Sequence, residues 1–419
     1  MNDRNKNMHG CKKTPHGWIP SEWDIKTLGE LGSFSKGKGI SNSEKQKNGY
    51  PCITYGDIYT KYDIRIKKFF SFIDEKSARA SQRIYKGCIL FAGSGETLDD
   101  IGKCVAFDNN EEAYAGGDII IFTPRGVNVI YLSYLLNSHN MLKDRRKIGQ
   151  GHSVVHIYSS GLGVLNVHLP PLSEQGKIAE ILSIWDEAIA NLTKLVEEKE
   201  KLKQCLMQQL LTGKLRFKSS GKSPWKEVHM GELLTRVFRP IDWTADMQLS
   251  LVSLRRRCGG LFRRPDVLGG DYKTQDLHEI KTDDFLVSKR QVSHGAWALV
   301  LPDFEGSQVS KEYAIFVNKS PDKFHMPFFA WLAQTPRMIR LARVASIGVH
   351  IEKLIFDPEV FLRESILIPP SLAEQKQIAD ALDSAHSEIL LLRAQRVALD
   401  QQKRGLMQKL LTGEVRVRM

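Results

Sequence analysis

Apolar residues recur in steps of four and three from Ile178 through Leu182, Trp185, Ile189, Leu192 and Val196 to Leu206 and Leu210. The same stepping returns as Ile378, Leu382, Ala385, Ile389, Leu392, Leu399, Leu406 and Leu410, and from Glu174/Glu374 to the ends the two runs stay at a constant offset of 200. A period of 3.5 rather than 3.6 residues predicts two long helices, each lying against a partner. Proline pairs, Pro170-Pro171 and Pro369-Pro370, precede the runs, and each run ends in an identical LLTG. Ser173, Glu174 and Gln175 suit a first helical turn, and Gly213 and Gly413 suit the stop. Forty or so residues at ~1.5 Å each make a rod of roughly 60 Å. Lys199, Lys203, Arg396 and Lys403 are expected on the seam, where charge weakens a coiled coil but fixes its register and partner. The two copies are therefore expected to pair with each other, antiparallel.

Outside these runs the period shortens. Pro51 to Tyr55, Cys88 to Phe91 and Asp118 to Phe122 read as strands bounded by Gly or Pro, and Val129 to Lys147 as an amphipathic helix with a basic end. The order recurs loosely after Trp225. Trp23 and Leu28-Gly29-Glu30-Leu31 return as Trp225 and Met230-Gly231-Glu232-Leu233, Phe285 to Val287 and Ala314 to Val317 stand for the later strands, and Phe328 to Val344 for the helix. The predicted fold class is α+β: two mixed α/β globules joined by two long helices forming an antiparallel coiled coil. The expected plan is a disordered tail 1–16, a first globule 17–168, a long helix 169–217, a linker 218–224, a second globule 225–367 and a second long helix 368–419. An internal duplication of this kind outranks any local motif.

With 419 residues, 42% of them apolar and 26% charged, disorder is not the default. The net charge of +12 points to a polyanionic partner. Cys11, Cys52, Cys88, Cys104, Cys205 and Cys258 show no CxxC spacing, so neither a disulfide framework nor a zinc site is expected, and a reducing cytoplasm fits. No apolar run approaches the ~18 residues of a membrane span, and the polar start has no signal-peptide core.

Enzyme-like strings are weak. Phe91-Ala92-Gly93-Ser94-Gly95 matches a methyltransferase glycine loop, but the NPP[FY]-type loop that holds a flipped base is missing. Pro265-Asp266 before Asp271-Tyr272-Lys273 resembles a metal-dependent nuclease pattern, yet Gly269-Gly270 between them makes a turn the simpler reading. No phosphate loop occurs, and His152, His156, His294 and His350 lack ligand-like or triad-like companions. Basic clusters carry more. Arg255, Arg256, Arg257, Arg263 and Arg264 flank a glycine turn, and arginine forks contact phosphates and guanine edges. Lys36 and Lys38, Arg65 with Lys67 and Lys68, Arg145 with Arg146 and Lys147, and Arg337, Arg340 and Arg343 are the further candidates, against the plainer reading of solvated helix-end charge. On the residues alone three readings stand: a non-catalytic DNA reader, a stand-alone DNA methyltransferase or nuclease, and a coiled-coil scaffold for proteins.

PPLSEQGKIAEIL with its twin PPSLAEQKQIADAL, and LMQQLLTGKLRF with LMQKLLTGEVRV, resemble the specificity subunits of type I restriction-modification systems. Tyr55-Gly56-Asp57-Ile58 and the segment Gly87 to Gly95 also look like that family's first head, whereas the second head departs from it at Ser253 to Arg257. The resemblance implies two target recognition domains, each reading one half of a split double-stranded DNA site. It implies a helical spacer that docks two adenine methyltransferase subunits, with two restriction subunits able to join them. S-adenosylmethionine, ATP and magnesium would then sit on those partners, and this chain would hold no cofactor, metal or catalytic residue.

Overall fold

The computed structural model describes residues 10–98, 100–151, 154–218, 223–272, 276–350 and 353–417. The chain divides into two compact units: unit 1 comprises Met1–Leu192 with Gln395–Met419, and unit 2 comprises Thr193–Ala394. The division cuts both long helices, Leu172–Leu210 of 39 residues and Leu372–Thr412 of 41. Each unit thus holds the start of one helix beside the end of the other.

Within each unit the helices run antiparallel. In unit 1 Glu174 meets Arg416, while Asp186, further along the first helix, meets Lys403, earlier on the second. In unit 2 Glu374 meets Arg216, Glu388 meets Lys199 at 2.6 Å, and Arg393 meets Glu200. Ile178 and Leu182 are buried in one core with Leu410 and Leu411, and Ile378 and Leu382 in the other with Leu210 and Leu211. At roughly 1.5–3 kcal/mol for each fully buried aliphatic side chain, these ends are where the pairing is held. The seam cations are met by carboxylates at Lys199 and Lys403, but Arg396 faces solvent and is not on the seam. Gly213 and Gly413, at φ 68° and 72°, close the helices: their amides bond Leu210 O and Leu410 O, and Leu215 and Val415 reach back to Gln209 O and Lys409 O.

Unit 1 carries a five-stranded sheet in the order Gly32–Lys36, Ile119–Pro124, Ile89–Ala92, Cys104–Phe107, Arg65–Ile66. Its four-stranded sheet runs Ser71–Ile73, Tyr50–Ile53, Ala113–Ala115, Gln82–Ile84. Unit 2 keeps a shorter version of the first sheet: Leu234–Val237, Tyr313–Asn318, Phe285–Ser288, Trp297–Leu299. In both, the strand before the long helix pairs antiparallel with the strand that opens the globule, Asn166–Leu169 with Asp24–Thr27 and Ser365–Ile368 with Lys226–His229.

Several expectations need correction. The single helix read from Val129 to Lys147 is two, Val129–Leu136 and His139–Ile148. Asn137 turns out of the first helix to bond both backbone groups of Cys104, and Ser138 caps the second by accepting from Met141 N–H. Its counterpart is likewise split, into Met326–Ala333 and Pro336–Val344, at Thr335, which caps the second piece ahead of Pro336. Tyr55 starts a short helix instead of ending a strand. The tail expected to be disordered is ordered from residue 10: Cys11–Thr14 pairs with Gly17–Pro20, turned at Gly17 with φ 116°, and Lys12 donates to Trp23 O. Cross-strand partners supply order that a polar composition hides. Residues 1–9 of that tail and 219–222 of the expected linker lie outside the described residues.

Candidate nucleic-acid interface

In unit 2, Val252–Leu254 and Leu261–Arg263 form a hairpin whose tip carries Arg255, Arg256 and Arg257, all exposed. Arg257 and Cys258 take left-handed φ values of 58° and 55°, unusual for side-chain-bearing residues. The tip keeps that shape because Arg257 N–H donates to His294 O at 2.7 Å and Cys258 N–H to Gly295 O at 2.8 Å. Arg255 lies over the Phe262 ring and donates to Leu261 O, and Arg256 donates to Gln291. Arg263 is held by Ser250 and Asp303 O over Phe304, while Arg264 is exposed. Among the described residues none of the five meets a carboxylate. A rigid two-stranded ribbon with guanidinium groups at its tip can enter a major groove.

In unit 1, Lys36 and Lys38 are exposed on either side of Gly37, where an added Cβ would stand 1.8 Å from Gly116 O. The glycine permits that crossing of backbones, and the lysines are carried outward by it. Two hollows open beside them and share Asp118. One, of about 290 Å³, is bordered by Ser41, Asn42 and Tyr55; the other, of about 330 Å³, by Lys36, Ser94, His156 and Tyr158. The Asp57 of the YGDI string is buried, accepting from Thr54 N–H at 2.9 Å and from Lys45. Burial alone would raise its pKa, but the hydrogen bonds from Thr54 and Lys45 outweigh that and hold it below the ordinary value. Asp57 therefore shapes the turn that presents Tyr55 to solvent.

The other basic candidates are placed differently. Arg145 is 3% exposed and donates to Gly102 O, so it braces the fold and is unavailable to a phosphate. Burial, the largest influence, pulls its pKa down. Arg65 and Lys67 share Glu187 on the first long helix, at 3.2 and 2.5 Å, and Arg65 also approaches Asp108, so their charge is already met; Lys68 lies over Phe70. Arg146 is half-buried, and Lys147 pairs with Asp144. Arg337, Arg340 and Arg343 are exposed, with Arg337 on the rim of the helix-end groove of unit 2.

The enzyme-like strings dissolve into structure. Phe91 and Ala92 are buried strand residues, and Gly93 N–H donates to Asp118 O as the strand leaves its sheet. Asp266 accepts from Gln248, Asp271 lies in a single 3-10 turn, and Lys273 lies outside the described residues, as does His152. His156 bonds Ser94 Oγ at 3.0 Å, His294 lends its carbonyl to the arginine hairpin, and His350 is exposed. Among the described residues no group of His, Cys, Asp or Glu could hold a metal, and no helix is long and apolar enough to cross a membrane. Phe238 is a surface residue the sequence pattern passes over; it is 63% exposed with the Arg236 guanidinium 4.2 Å from its ring, and the string Arg236-Val237-Phe238-Arg239 is its only signal.

The helix ends carry a second kind of surface, present once in each unit. Arg416 binds buried Glu174 through two nitrogens at 2.7 and 2.8 Å, and Arg216 binds buried Glu374 in the same way, at 2.8 and 2.8 Å. Gln175 accepts from Asn128 N–H and donates to Pro170 O; Gln375 accepts from His325 N–H and donates to Pro369 O and Lys323 O. The last turns of the second helix also border a groove of about 370 Å³ in unit 1, lined by Met407, Gln408, Leu411 and Thr412 with Met141. Unit 2 has one of about 530 Å³, bordered by Met207, Gln208, Leu211 and Thr212 with Met338. Ile184, Leu195, Leu202, Leu390 and Leu391 leave large apolar side chains exposed along the two helices.

Each of the two diverged α/β units is clasped between the start of one long helix and the end of its duplicate. The sequence profile described as "Type I restriction modification DNA specificity domain" matches residues 20–204. The type I restriction enzyme MjaVIII specificity subunit of Methanocaldococcus jannaschii is 25% identical over 436 residues, covering 99% of this chain and 96% of the relative. Another M. jannaschii protein with a type I specificity-subunit name is 26% identical over 437 residues, 97% of each chain. The fold is that of the S subunit of a type I restriction-modification system from M. genitalium, at TM-score 0.58 and 14% identity over 95% of this chain and 96% of that one. Along nearly its whole length the chain is similar to type I restriction-modification specificity subunits.

Proposed function

We propose that this chain selects the DNA sequence on which a type I restriction-modification complex acts, unit 1 reading one half of a two-part site and unit 2 the other. The long helices set the gap between the halves and dock two adenine methyltransferase subunits, which restriction subunits can join. The observation that carries this reading is the contrast between doubled helix-end contacts, Arg416–Glu174 and Arg216–Glu374, and reading faces that differ. Two like surfaces suit two copies of one partner, and two unlike faces suit an asymmetric target. The paired grooves and the exposed apolar residues along the helices support docking of an apolar helical segment.

S-adenosylmethionine, ATP and magnesium belong on the partners in this reading. Six cysteines, all unpaired, agree with action in a reducing cytoplasm. The test is to co-express the chain with its methyltransferase in a host lacking other adenine methylation and to sequence the methylated adenines. A two-part, asymmetric motif with a constant gap is expected; methylation that ignores sequence, or that needs only one half, would overturn the proposal.

A further inference from the structure

Beside the main sheet of each unit, one residue ties three segments together through its backbone. In unit 1 it is Gly93, whose N–H donates to Asp118 O at 2.7 Å and whose carbonyl accepts from Ile157 N–H at 2.9 Å. In unit 2 it is Lys289, whose N–H donates to Glu312 O at 2.9 Å and whose carbonyl accepts from Phe356 N–H at 2.8 Å. Strand register gives the same match without any appeal to sequence similarity. Ile121 sits between Leu90 and Ser35, and Ile315 sits between Leu286 and Val237. Counting outward from those rows, Lys36 corresponds to Phe238, Ser94 to Arg290, Asp118 to Glu312 and His156 to Ile355.

The two units share this hydrogen-bond frame and sheet register, although His156 pairs across to Ser94 whereas Ile355 pairs with Ile347; the side chains at the four positions differ. Unit 1 presents a lysine, a histidine steadied by the serine behind it, and an exposed carboxylate, all bordering the hollow of about 330 Å³. Unit 2 presents Phe238 and Ile355, 63% and 50% exposed, on either side of an Arg290–Glu312 ion pair at 2.5 Å. Phe238 meets the Arg236 guanidinium at 4.2 Å and the His278 ring at 6.1 Å, yet most of its surface, like half of that of Ile355, stays open to an apolar contact from outside. Base edges offer both chemistries. Lysine and histidine can donate to purine N7 and guanine O6, a carboxylate accepts from cytosine N4, and phenylalanine or isoleucine packs on the thymine methyl.

We propose that these four corresponding positions determine sequence specificity in each unit: Lys36, Ser94, Asp118 and His156 for one half-site, and Phe238, Arg290, Glu312 and Ile355 for the other. The proposal rests on the function proposed above and adds which residues read and what they favour. Unit 1 selects guanine or cytosine edges, and unit 2 selects a step that carries thymine methyls.

The experiment uses the full chain assembled with its methyltransferase partner. Lys36→Ala/His156→Ala and Phe238→Ala/Ile355→Ala are compared with wild type by sequencing methylated adenines and by competition with singly substituted DNA sites. Each double variant is expected to relax base preference by about 5- to 150-fold at positions of one half-site, a different half for each, with the gap unchanged. Unaltered preference, or equal relaxation of both halves, overturns the proposal. If a double variant fails to assemble, His156→Gln and Phe238→Leu serve instead and are judged on the same outcomes. A wild-type complex with no two-part motif overturns the parent reading and this inference together, whereas a wild-type motif untouched by the variants overturns this inference alone.

Discussion

The helix-end collars, Arg416–Glu174 with Gln175 and Arg216–Glu374 with Gln375, and the sheet margins proposed to read DNA occupy the same places in the two units, yet only the collars kept their side chains. Glu174, Gln175 and Arg416 recur as Glu374, Gln375 and Arg216 with matching arginine–glutamate pairs and matching glutamine bonds to a helix-start amide and a proline carbonyl. At the sheet margin Lys36 corresponds to Phe238 and His156 to Ile355 in a shared sheet register and hydrogen-bond frame. The kept glutamates and glutamines are buried, and each is hydrogen-bonded to a segment distant in sequence, where a change strands a polar group. The changed ones face solvent, where the fold does not dictate the side chain and an outside partner can.

Truncating a collar glutamine gives the largest expected effect. Gln375 is fully buried with three hydrogen bonds to Lys323, His325 and Pro369, and Gln175 has two, to Asn128 and Pro170. With each abandoned buried partner costing about 1–3 kcal/mol, Gln375→Ala should destabilise unit 2 by about 4 kcal/mol and Gln175→Ala should destabilise unit 1 by about 3. Urea unfolding followed separately for each unit checks this. Losses below about 1 kcal/mol would mean that the repeat is kept for partner contact instead of internal cohesion.

One collar position breaks the likeness. His168 in unit 1 stands where unit 2 has Leu367, one residue before the strand end that leads into the proline pair. Burial, reinforced by His16 and Lys12 and opposed by Asp144, lowers the His168 pKa from 6.5 to about 4. The unfolded chain therefore takes up a proton first as pH falls. Unit 1 keeps the full contribution of this residue above its unfolded pKa of 6.5 and loses it on the way down to about 4, a loss of about 3 kcal/mol at the lower end. Unit 2 has no equivalent group there, and His168→Leu should flatten this part of the unit 1 profile. A wild-type unit 1 no more acid-sensitive than the variant would contradict the burial argument.

The duplicated helices and their stops could be read from the letters because a 3.5-residue period and a terminal glycine are local signals. The features that escaped depend on distant partners. Arg145 has the letters of an exposed basic helix end, yet its guanidinium is buried on the carbonyl of Gly102 in another segment. Asn137 breaks its helix to reach Cys104. The correspondence of Asp118 with Glu312 is hidden because insertions shift the offset between the units along the globules; only sheet register and backbone hydrogen bonds restore it. The arginine run at Arg255 to Arg257 was conspicuous, but its rigid left-handed tip, pinned by His294 O and Gly295 O, was not.

That hairpin allows the reading faces to be compared directly. Replacing Arg255, Arg256 and Arg257 together by Ala should weaken DNA binding by the assembled complex about 100-fold and lower the salt slope by about 3, since each lost phosphate contact removes roughly 0.9. Lys38→Ala should lower the slope by about 1. Arg145→Met should leave the slope unchanged and lower the stability of unit 1 instead. Titrations of DNA at several salt concentrations separate these outcomes, and a reduced slope for Arg145→Met would show that its burial has been misread.

The smallest expected effect lies where Asp186 of the first helix is matched by His386 of the second. In unit 1 Lys403 pairs with Asp186 beneath the Tyr134 ring, and Tyr134 also donates to Asp186. In unit 2 Lys203 lies over Trp331, which donates to Asp383, and the place of Asp186 is taken by His386. Burial, the largest influence on both, lowers the pKa values of Lys203 and His386. The ammonium is thus partly removed from water opposite a ring that resists protonation. His386→Asp would give Lys203 the carboxylate that Lys403 already has, and Asp383, one helical turn away, would offset part of the gain. A partly exposed pair of this kind contributes about 0.5–1 kcal/mol, more at low salt than at high. Unit 2 should therefore unfold at slightly higher urea in the variant, and the gain should shrink as salt is added. Destabilisation at every salt concentration would mean that Trp331 and His386, whose rings meet edge to face with centroids 5.9 Å apart, hold unit 2 by packing and that charge adds nothing there.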